Sequence, residues 1–282
     1  MTAPSDIRTI LITGCSSGIG LDSAIALSKR GWQVLATCRK QADCERLTKD
    51  YGLISFVLDY ERPDTIQQAV DTALTYGNGK IDALFNNGAY AITAATEDVP
   101  VEAMRAIFEA NFFGWHALNR LIIPHMRAQG QGRILQNSSI LGFAAMRYRG
   151  AYNSTKFAIE GLTDTMRMEL KGSGIHMILI EPGPIRTNIR ENAAANFKKW
   201  ITVEGSAHEG FYHKILIPRL TAVNPKKDPF ELGPEAVTKD VIKALESKRP
   251  KARYRVTWAT KLMMPVKRLL PTRMMDMVAR LF

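Results

Sequence analysis

The stretch that decides the fold runs from Ile7 to Gly20 and reads IRTILITGCSSGIG. Its first half, Ile7 to Thr13, is a short apolar run rich in β-branched residues, which predicts a buried strand. Glycines follow in the pattern Gly-xxx-Gly-x-Gly, and periodic apolar residues then predict a helix that ends at Gly31. Glycines between a strand and a helix let the backbone approach a pyrophosphate, which the helix N-terminus attracts. The stretch therefore predicts a dinucleotide-binding turn.

Strand and helix patterns alternate along most of the remaining chain, and no low-complexity linker interrupts them. This alternation predicts an α/β fold, a doubly wound parallel sheet with ligands at the carboxyl ends of its strands. The predicted strands are Ile7–Thr13, Gln33–Cys38, Leu53–Leu58, Ile81–Phe85, Arg133–Asn137 and Ile175–Ile180. The longest predicted helices are Val101–Met126 and Tyr152–Lys171.

Two basic residues, Arg39 and Lys40, follow the second predicted strand. In NAD-binding folds an acidic residue in this region takes the ribose hydroxyls. A guanidinium there favours NADP(H), because it pairs with the 2′-phosphate. The alternatives are NAD(H) as cofactor and two solvated loop residues. Asp59, at the end of the third strand, is a candidate partner for the adenine amino group.

A second informative stretch, Ser138 to Lys156, reads SSILGFAAMRYRGAYNSTK. Tyr152 and Lys156 are four residues apart, so a helix presents them on one face. A Lys ammonium beside a phenol favours the phenolate, which makes Tyr152 a better proton donor and acceptor near neutral pH. Ser139 ends a predicted strand and can reach the same substrate oxygen. The alternative is an exposed Tyr, a solvated Lys and a turn Ser.

Asn111 lies inside the predicted helix Val101–Met126, three residues before Gly114. Both residue types weaken a helix interior. We expect a local distortion there that exposes a main-chain carbonyl to a water molecule. The alternative is a tolerated polar residue on an outer face.

The α/β alternation lapses after Thr187 and resumes with a helix near Gly233. We predict that residues 188–232 form a lid over the substrate, because an insertion at the ligand edge of a sheet is well placed to close it. The alternative is a surface excursion that its aromatic residues only anchor. Those residues are Phe197, Trp200, Phe211 and Tyr212.

Composition sets the class of protein. The chain has 282 residues, of which 46% are hydrophobic and 23% charged, as expected for one large globular domain. Its three cysteines, Cys15, Cys38 and Cys44, have no zinc spacing and suit a reducing, cytoplasmic location. The five His residues form no HxxxH pair, so we expect no metal site. The N-terminus shows neither a signal peptide nor a membrane span.

The formal net charge of +11 is concentrated near the C-terminus, where residues 248–282 carry ten Lys or Arg and one acid, Asp276. No basic module with interleaved aromatics is present, so we expect no nucleic-acid partner. Residues 257–282 form a basic amphipathic extension, interrupted by Pro265 and Pro271. It either lies on an anionic membrane surface or packs on the sheet or a second subunit, and packing is the favoured interpretation.

Taken together, these motifs resemble the short-chain dehydrogenase/reductase family over about residues 7–246, with a tail to Val256. Within it the chain is most similar to hydroxysteroid and retinol dehydrogenases and to bacterial NADP-dependent aldehyde reductases. The strings TGCSSGIGL, ATCRK, EPGPIRT and KRLLP carry that closer similarity. One departure is Asn86-Asn87-Gly88-Ala89, where the family usually has Asn-Asn-Ala-Gly. The residue with free φ has moved by one position, which puts the loop geometry in doubt.

The resemblance implies a Rossmann domain over residues 1–256, including the lid, and an NADP(H)-dependent oxidoreductase. Hydride would pass between nicotinamide and a hydrophobic aldehyde or ketone, or the corresponding alcohol, with Tyr152 as general acid or base. The catalytic residues implied are Asn111, Ser139, Tyr152 and Lys156. The cofactor-binding residues expected from the motifs and the resemblance are Gly14, Ser16, Ser17, Gly18, Ile19, Gly20, Arg39, Asp59, Asn87, Gly88, Tyr152, Lys156, Pro182, Gly183, Ile185 and Thr187.

The resemblance further implies that Lys156 binds the nicotinamide ribose and that Asn111 holds a water linked to Lys156. It also implies a homodimer or homotetramer that pairs through the helices around Asn111 and Tyr152. A catalytically silent NADP-binding sensor or scaffold is the alternative, although such a protein would normally have lost Tyr152 or Lys156.

The substrate is predicted from the residues that follow Ser139. An apolar set there predicts an apolar pocket, which suits a hydrophobic carbonyl compound. Arg147 and Arg149 leave an acidic substrate as the alternative, although the favoured interpretation is solvated loop arginines. The apolar set comprises Leu141, Phe143, Ala144, Ala145 and Met146.

Overall fold

The computed structural model describes residues 7–222 and 228–279. Within them, strands pair in parallel in one sheet of order β3-β2-β1-β4-β5-β6-β7, which confirms the predicted doubly wound α/β fold. The strands are β1 Thr9–Ile12, β2 Gln33–Cys38, β3 Ile54–Val57, β4 Ala83–Asn86, β5 Gly132–Asn137, β6 Ile175–Glu181 and β7 Arg253–Arg255.

Helices cover both faces of this sheet, and others lie in the insertion and in the C-terminal extension. They are α1 Gly18–Ser28, α2 Gln41–Tyr51, α3 Pro63–Tyr76, α4 Val101–Phe108, α5 Gly114–Gln129, α6 Gly150–Glu169, α7 Ile189–Trp200, α8 Glu209–Phe211, α9 Ile217–Thr221, α10 Pro234–Glu246, α11 Trp258–Leu269 and α12 Thr272–Ala279. The one long helix predicted over Val101–Met126 is α4 and α5 joined by a π-helical segment, Glu109–Phe113.

Two hydrophobic clusters cover the two faces of the sheet, which is why its central strands are mostly apolar. Side chains alternate along a strand, so Ile10 and Ile12 of β1 join the cluster under α1, α2 and α10. Leu11 points the other way, into the cluster under α3, α5 and α6. All three side chains are fully buried.

The sheet has a topological switch point between β1 and β4. The chain moves outward from β1 through β2 to β3, then returns to place β4 on the other side of β1. Ligands of such sheets bind in the crevice outside the carboxyl ends of the strands at this point. Thr13, Asn87 and Ser139 follow β1, β4 and β5 and therefore meet at that edge.

The predicted insertion, residues 188–232, forms α7, α8, a π-helical segment Tyr212–Leu216 and α9, and its residues 223–227 lie outside the described residues. The predicted extension, residues 257–282, forms α11 and α12, with residues 280–282 outside the description. Residues 1–6 of the predicted domain are outside it as well.

The prolines of the extension act differently from one another. Pro265 lies inside α11, whereas Pro271 separates α11 from α12. In the described parts of the chain, no helix combines the length and the apolar character that crossing a membrane requires.

Candidate active site

The glycine turn after β1 adopts a conformation that only glycine takes without strain. Gly14 and Gly18 have φ of 68° and 59°, in the left-handed region. A Cβ on Gly20 would collide with the carbonyl oxygen of Gly14, so the turn folds back tightly on itself. The predicted turn between strand and helix is therefore present.

The N-terminus of α1 leaves its first main-chain N–H groups available for an anion. Ser17 occupies the cap position, but its side chain makes no capping hydrogen bond. The N–H groups of Gly18, Ile19 and Gly20 consequently have no side-chain acceptor, and the helix dipole favours negative charge there. This donor set fits the pyrophosphate of a dinucleotide.

Arg46 of α2 supports the same turn, although the sequence analysis did not identify it. Its guanidinium donates to the carbonyl oxygen of Ser16 at 2.6 Å and pairs with Asp43 at 3.3 Å. The bond ties the glycine turn to the neighbouring helix. A lone Arg in a helix gives no sequence signal for such a role, because the contact spans 30 positions.

Asn87 holds the turn after β4 against the glycine turn. Its amide nitrogen donates to the carbonyl oxygens of Thr13 and Gly14, at 2.9 and 3.2 Å. Its amide oxygen accepts from the side chain of Asn137 at 2.9 Å. Asn87 thus links the glycine turn to the end of β5.

The exchange of Gly and Ala at positions 88 and 89 leaves this loop intact. Neither residue has a positive φ, so the loop does not need the free φ of glycine at either position. The backbones of the two loops approach each other closely here, because a Cβ on Gly14 would lie 2.6 Å from the Cα of Gly88. Ala89 packs beside a hydrophobic cluster, which resolves the doubt about the loop geometry.

Arg39 is exposed at the end of β2, and among the described residues its side chain has no hydrogen bond or ion pair. Its charge acts on Glu61, whose pKa is raised by burial while Arg39 acts to lower it. Asp59 accepts a hydrogen bond from the main-chain N–H of Glu61 at 3.1 Å. Arg39 is therefore available to an anion, whereas the Asp59 carboxylate is partly engaged.

Tyr152 lies buried on the first turn of α6. Burial raises the pKa of its phenol to about 12. The hydroxyl of Ser139, which can donate to the phenolate, and the charge of Arg149 both lower that pKa. The phenol is therefore protonated at neutral pH in this state.

Lys156 is almost completely buried one turn further along α6. Its Nζ donates to the carbonyl oxygen of Asn137 at 2.7 Å and lies 4.5 Å from the ring centroid of Trp115. Burial lowers the pKa of this ammonium to about 7, and the charge of Glu160 opposes the shift.

The expectation that Lys156 lowers the pKa of Tyr152 differs from what the structure contains. The ammonium faces the carbonyl oxygen of Asn137 and lies 5.5 Å from the centroid of the Tyr152 ring. Desolvation of the phenol is the largest effect on its pKa. Lys156 therefore neighbours Tyr152, as the i, i+4 spacing predicts, without offsetting the burial of its phenol.

Ser139 is placed by hydrogen bonds on both of its sides. Its side-chain oxygen accepts from the N–H of Leu141 at 3.1 Å, which leaves the hydroxyl hydrogen free to point at another acceptor. The next residue, Ile140, donates its N–H to the carbonyl oxygen of Pro182 at 2.7 Å. Ser139 thus sits between α6 and the loop after β6.

Asn111 lies in the π-helical segment, so the predicted distortion of the helix is present. Its amide donates to the carbonyl oxygen of Tyr90 at 2.8 Å and accepts from the N–H of Tyr90 at 3.1 Å. It also donates to Thr155 of α6 at 3.3 Å. These bonds join the loop after β4 to the helix that carries Tyr152.

The loop after β6 closes the other side of the crevice. A Cβ on Gly18 would lie 2.9 Å from Cγ2 of Thr187, so this loop touches the glycine turn. Gly183 packs so closely on Thr257 that a Cβ there would collide with the Thr257 hydroxyl. Ile185 forms an isolated β-bridge with Leu232 at the end of the insertion. Pro182, Gly183, Ile185 and Thr187 are thus near the other predicted site residues.

The insertion is anchored by part of its aromatic set. Phe197 and Tyr212 are buried in the cluster that also contains Tyr152, and their rings meet edge to face. Phe211 stacks on Tyr148 with 4.0 Å between the ring centroids. Tyr148 has a φ of 58°, which is unusual for a large side chain and marks a constrained loop. These rings anchor the segment, and its role as a lid over the substrate stays a prediction.

Arg149 is half-buried beside the same cluster, not fully solvated as the favoured interpretation expected. Burial, together with the nearby charges of Arg219 and Arg190, lowers its pKa to about 10, while Asp228 acts to raise it. Both of those arginines pair with Asp228, at 2.7 and 3.1 Å. Arg190 and Arg219 therefore share one carboxylate, whereas Arg149 forms no ion pair among the described residues.

A partly buried ionic network lies near Lys156, and the sequence did not predict it. Arg253 of β7 pairs with Glu160 at 2.9 Å, with Asp164 at 2.8 Å and with Glu181 at 2.8 Å. Glu181 is fully buried, and desolvation raises its pKa to about 7. The contacts join α6, β6 and β7 across large sequence separations, and no local pattern encodes them.

Nearly all of the predicted site residues therefore meet at one edge of the sheet. Lys156 donates to the main chain of Asn137, whose side chain donates to Asn87, which donates to Gly14. This hydrogen-bond chain connects the Tyr152 side of the crevice to the glycine turn. The described residues contain no group of three His, Cys, Asp or Glu side chains that could hold a metal ion.

The chain is similar to known proteins of one family. The model of the family described as short chain dehydrogenase matches residues 8–198. Oxidoreductase YbbO of Escherichia coli K12 is 37% identical over 276 residues, which cover 96% of this chain and 93% of that protein. An NADPH-dependent 3-dehydrocapnine reductase of Ornithobacterium rhinotracheale is 28% identical over 281 residues, which cover 96% of both chains.

A solved structure shares the fold. It is a short chain dehydrogenase/reductase from Burkholderia phymatum in complex with NAD, with a TM-score of 0.77 at 20% identity. The match covers 94% of this chain and 92% of that one.

Proposed function

This chain belongs to the short-chain dehydrogenase family of oxidoreductases, and from this premise we propose that it transfers hydride between NADP(H) and a hydrophobic aldehyde or ketone, or the corresponding alcohol. The observation that supports the proposal best is the hydrogen-bond chain from Lys156 through Asn137 and Asn87 to the glycine turn. It holds a proton donor and a nucleotide-binding turn in one rigid frame.

The glycine turn and the free N–H groups of α1 would hold the pyrophosphate of the cofactor, which supplies the hydride when bound. The residues of the chain would supply the proton. Tyr152, protonated at neutral pH, would donate to the carbonyl oxygen of the substrate as negative charge develops there. Ser139 would donate a hydrogen bond to the same oxygen.

Lys156 would serve as a positioning and proton-supplying group. A pKa of about 7 lets it exchange protons with its surroundings at physiological pH. The resemblance to the family supports a contact of Lys156 with the nicotinamide ribose and a water near Asn111. Asn111 would act mainly by tying the Tyr90 loop to α6.

The preference for NADP(H) is supported by Arg39. Its exposed guanidinium has no partner among the described residues, and a 2′-phosphate would give it one. The relative from O. rhinotracheale is named as NADPH-dependent, which agrees with this choice. The structural neighbour holds NAD, so NAD(H) is the alternative cofactor to test.

The loop between Ser139 and α6 supports the proposed substrate class. Leu141 and Phe143 are partly buried there, and Leu141 packs against the cluster that contains Tyr152. An apolar substrate would extend that cluster over the phenol. A substrate that also carries an acidic group is the second candidate, and the half-buried Arg149 favours it.

A substrate panel with the purified protein tests the proposal. Apolar aldehydes and ketones of increasing length would be compared with short keto acids, with NADPH and NADH absorbance as the readout. We expect turnover with NADPH that improves with apolar length. Preference for short charged acids would contradict the apolar pocket, and NADPH binding without turnover of any carbonyl would favour a sensor or scaffold.

A homo-oligomer and a cytoplasmic location stay predictions.

A further inference from the structure

One face of α11 is apolar and exposed to solvent. Trp258, Leu262 and Leu269 are 73%, 58% and 80% exposed, and Pro265 is exposed between them. Their spacing of four, three and four residues puts all of them on one side of a helix. These four residues, here called the α11 stripe, are too closely aligned to be scattered surface hydrophobics.

The protein body fixes the direction in which this stripe points. The opposite side of α11 carries Thr260, which is fully buried. Thr257 caps the helix by accepting from the N–H of Thr260 at 3.3 Å, and both hydroxyls pack on Gly183 of the loop after β6. Since α11 is held at its N-terminus by these contacts, the stripe faces outward from a rigid surface.

Positive charge flanks the stripe. Lys261 and Arg268 each directly precede a stripe leucine, and neither has an ion pair among the described residues. The next helix, α12, adds exposed Met274 and Met277 beside Arg273. Residues 248–282 hold ten basic residues against one acid, so this end of the chain has a strongly positive surface.

We propose that α11 and α12 dock on an anionic lipid bilayer. A Trp with Leu neighbours is suited to the boundary between headgroups and acyl chains, and the flanking Lys and Arg would contact acidic headgroups. A second copy of this chain, paired through the same face, is the less favoured partner for this surface. Self-pairing would set two strongly basic surfaces against each other, with Asp276 as the one acid of residues 248–282 to offset them.

The favoured sequence interpretation of the extension is packing on the sheet or on a second subunit, and the exposed stripe shows that packing on the sheet is incomplete. Only part of its apolar set packs on the body, Met275 being a buried example. The inference does not depend on the proposed catalysis, because its test measures binding to lipid.

Vesicle sedimentation of the full chain tests the docking surface. The probes are vesicles of phosphatidylcholine alone and of phosphatidylcholine mixed with phosphatidylglycerol. We expect pelleting with the mixed vesicles only, weakening as salt is added. Replacing Trp258, Leu262 and Leu269 together by Ser should reduce the affinity at least about tenfold. The matched control is Met168→Ser, which removes an exposed apolar side chain from α6.

A second variant keeps the test independent of the first. Lys261→Gln with Arg268→Gln should weaken binding about fivefold for each charge removed, whereas Lys49→Gln with Lys80→Gln should not. Tryptophan fluorescence should shift to shorter wavelength with mixed vesicles as the exposed Trp258 enters the bilayer, since Trp32 and Trp115 are buried and Trp200 is half-buried; a Trp258→Phe variant should lose the shift. Equal pelleting of the wild type with both vesicle types, or of the stripe variant and the wild type, would overturn the proposal. So would loss of a dimer on stripe substitution without any lipid binding.

Discussion

Lys156 donates a 2.7 Å hydrogen bond from its buried ammonium to the carbonyl oxygen of Asn137. The bond holds a cation in the interior, at the end of β5, where desolvation opposes its charge. It also holds the lysine against Asn137, whose side chain donates a hydrogen bond to Asn87.

The depressed pKa of Lys156 predicts a pH dependence of stability. Its pKa falls from 10.5 in the unfolded chain to about 7 in the folded one. Between these values the unfolded state binds more protons, so the free energy of unfolding should rise with pH by up to about 1.4 kcal/mol per pH unit. Lys156→Met should remove this contribution to the slope.

Chemical denaturation at a series of pH values from neutral to mildly alkaline measures that slope. Lys171→Met, at an exposed lysine just beyond α6, is the control and should leave it unchanged. Identical slopes in the wild type and Lys156→Met would contradict a depressed pKa.

Asn111→Ala should destabilise the fold and disturb the site. The change leaves the N–H and carbonyl of Tyr90 without their side-chain partner, at a cost of about 1–3 kcal/mol. We expect a lower kcat as well, since the Tyr90 loop loses its bond to α6 through Thr155. Asn196→Ala, which removes a solvent-facing bond to Asn192, is the control. Equal melting temperatures of the two variants would contradict this role.

The glycine turn predicts very different losses of stability for two similar substitutions. Gly14→Ala introduces a Cβ 2.6 Å from the Cα of Gly88 at a φ of 68°, and should cost more than about 3 kcal/mol. Gly88→Ala places its Cβ 3.3 Å or more from its neighbours at an ordinary φ, and should cost less than about 1.5 kcal/mol. Urea denaturation of both variants measures the difference. Similar losses of stability would contradict the steric clash expected between a Cβ on Gly14 and the Cα of Gly88.

Arg39 should set the choice of cofactor. Arg39→Ser removes the candidate partner of a 2′-phosphate, so the ratio of kcat/KM for NADPH over NADH should fall at least about tenfold. Arg127→Ser, at an exposed arginine on α5, should leave the ratio unchanged. A ratio that survives Arg39→Ser would assign the preference to another residue, with Lys40 and Arg46 the next candidates.

Local patterns predicted the sheet and the placement of the site residues well. Strand bounds agreed within two residues, and the Asn111 distortion followed from two helix-weakening residues in one turn. The contacts that the sequence did not predict are long-range. Arg46 reaches Ser16, and Arg253 joins Glu160 to Glu181, through contacts that depend on the tertiary fold.

The sequence did not predict β7 or the direction of the α11 stripe, for a different reason. β7 is three residues long and mostly charged, so no hydrophobic periodicity marks it. In α11 the pattern was visible, but the same apolar stripe is compatible with packing inward or facing outward. Only the burial of Thr260 on the opposite side decides its direction.

The central claim is that Tyr152 supplies the proton in hydride transfer, and Tyr152→Phe tests it most directly. The phenol is buried beside Ser139, so removal of one oxygen should leave the fold and the glycine turn unchanged. Turnover should fall by at least about a hundredfold, while NADPH still binds with its wild-type affinity. Tyr90→Phe serves as the matched control on the adjacent loop. A Tyr152→Phe protein that retains wild-type turnover would contradict the account.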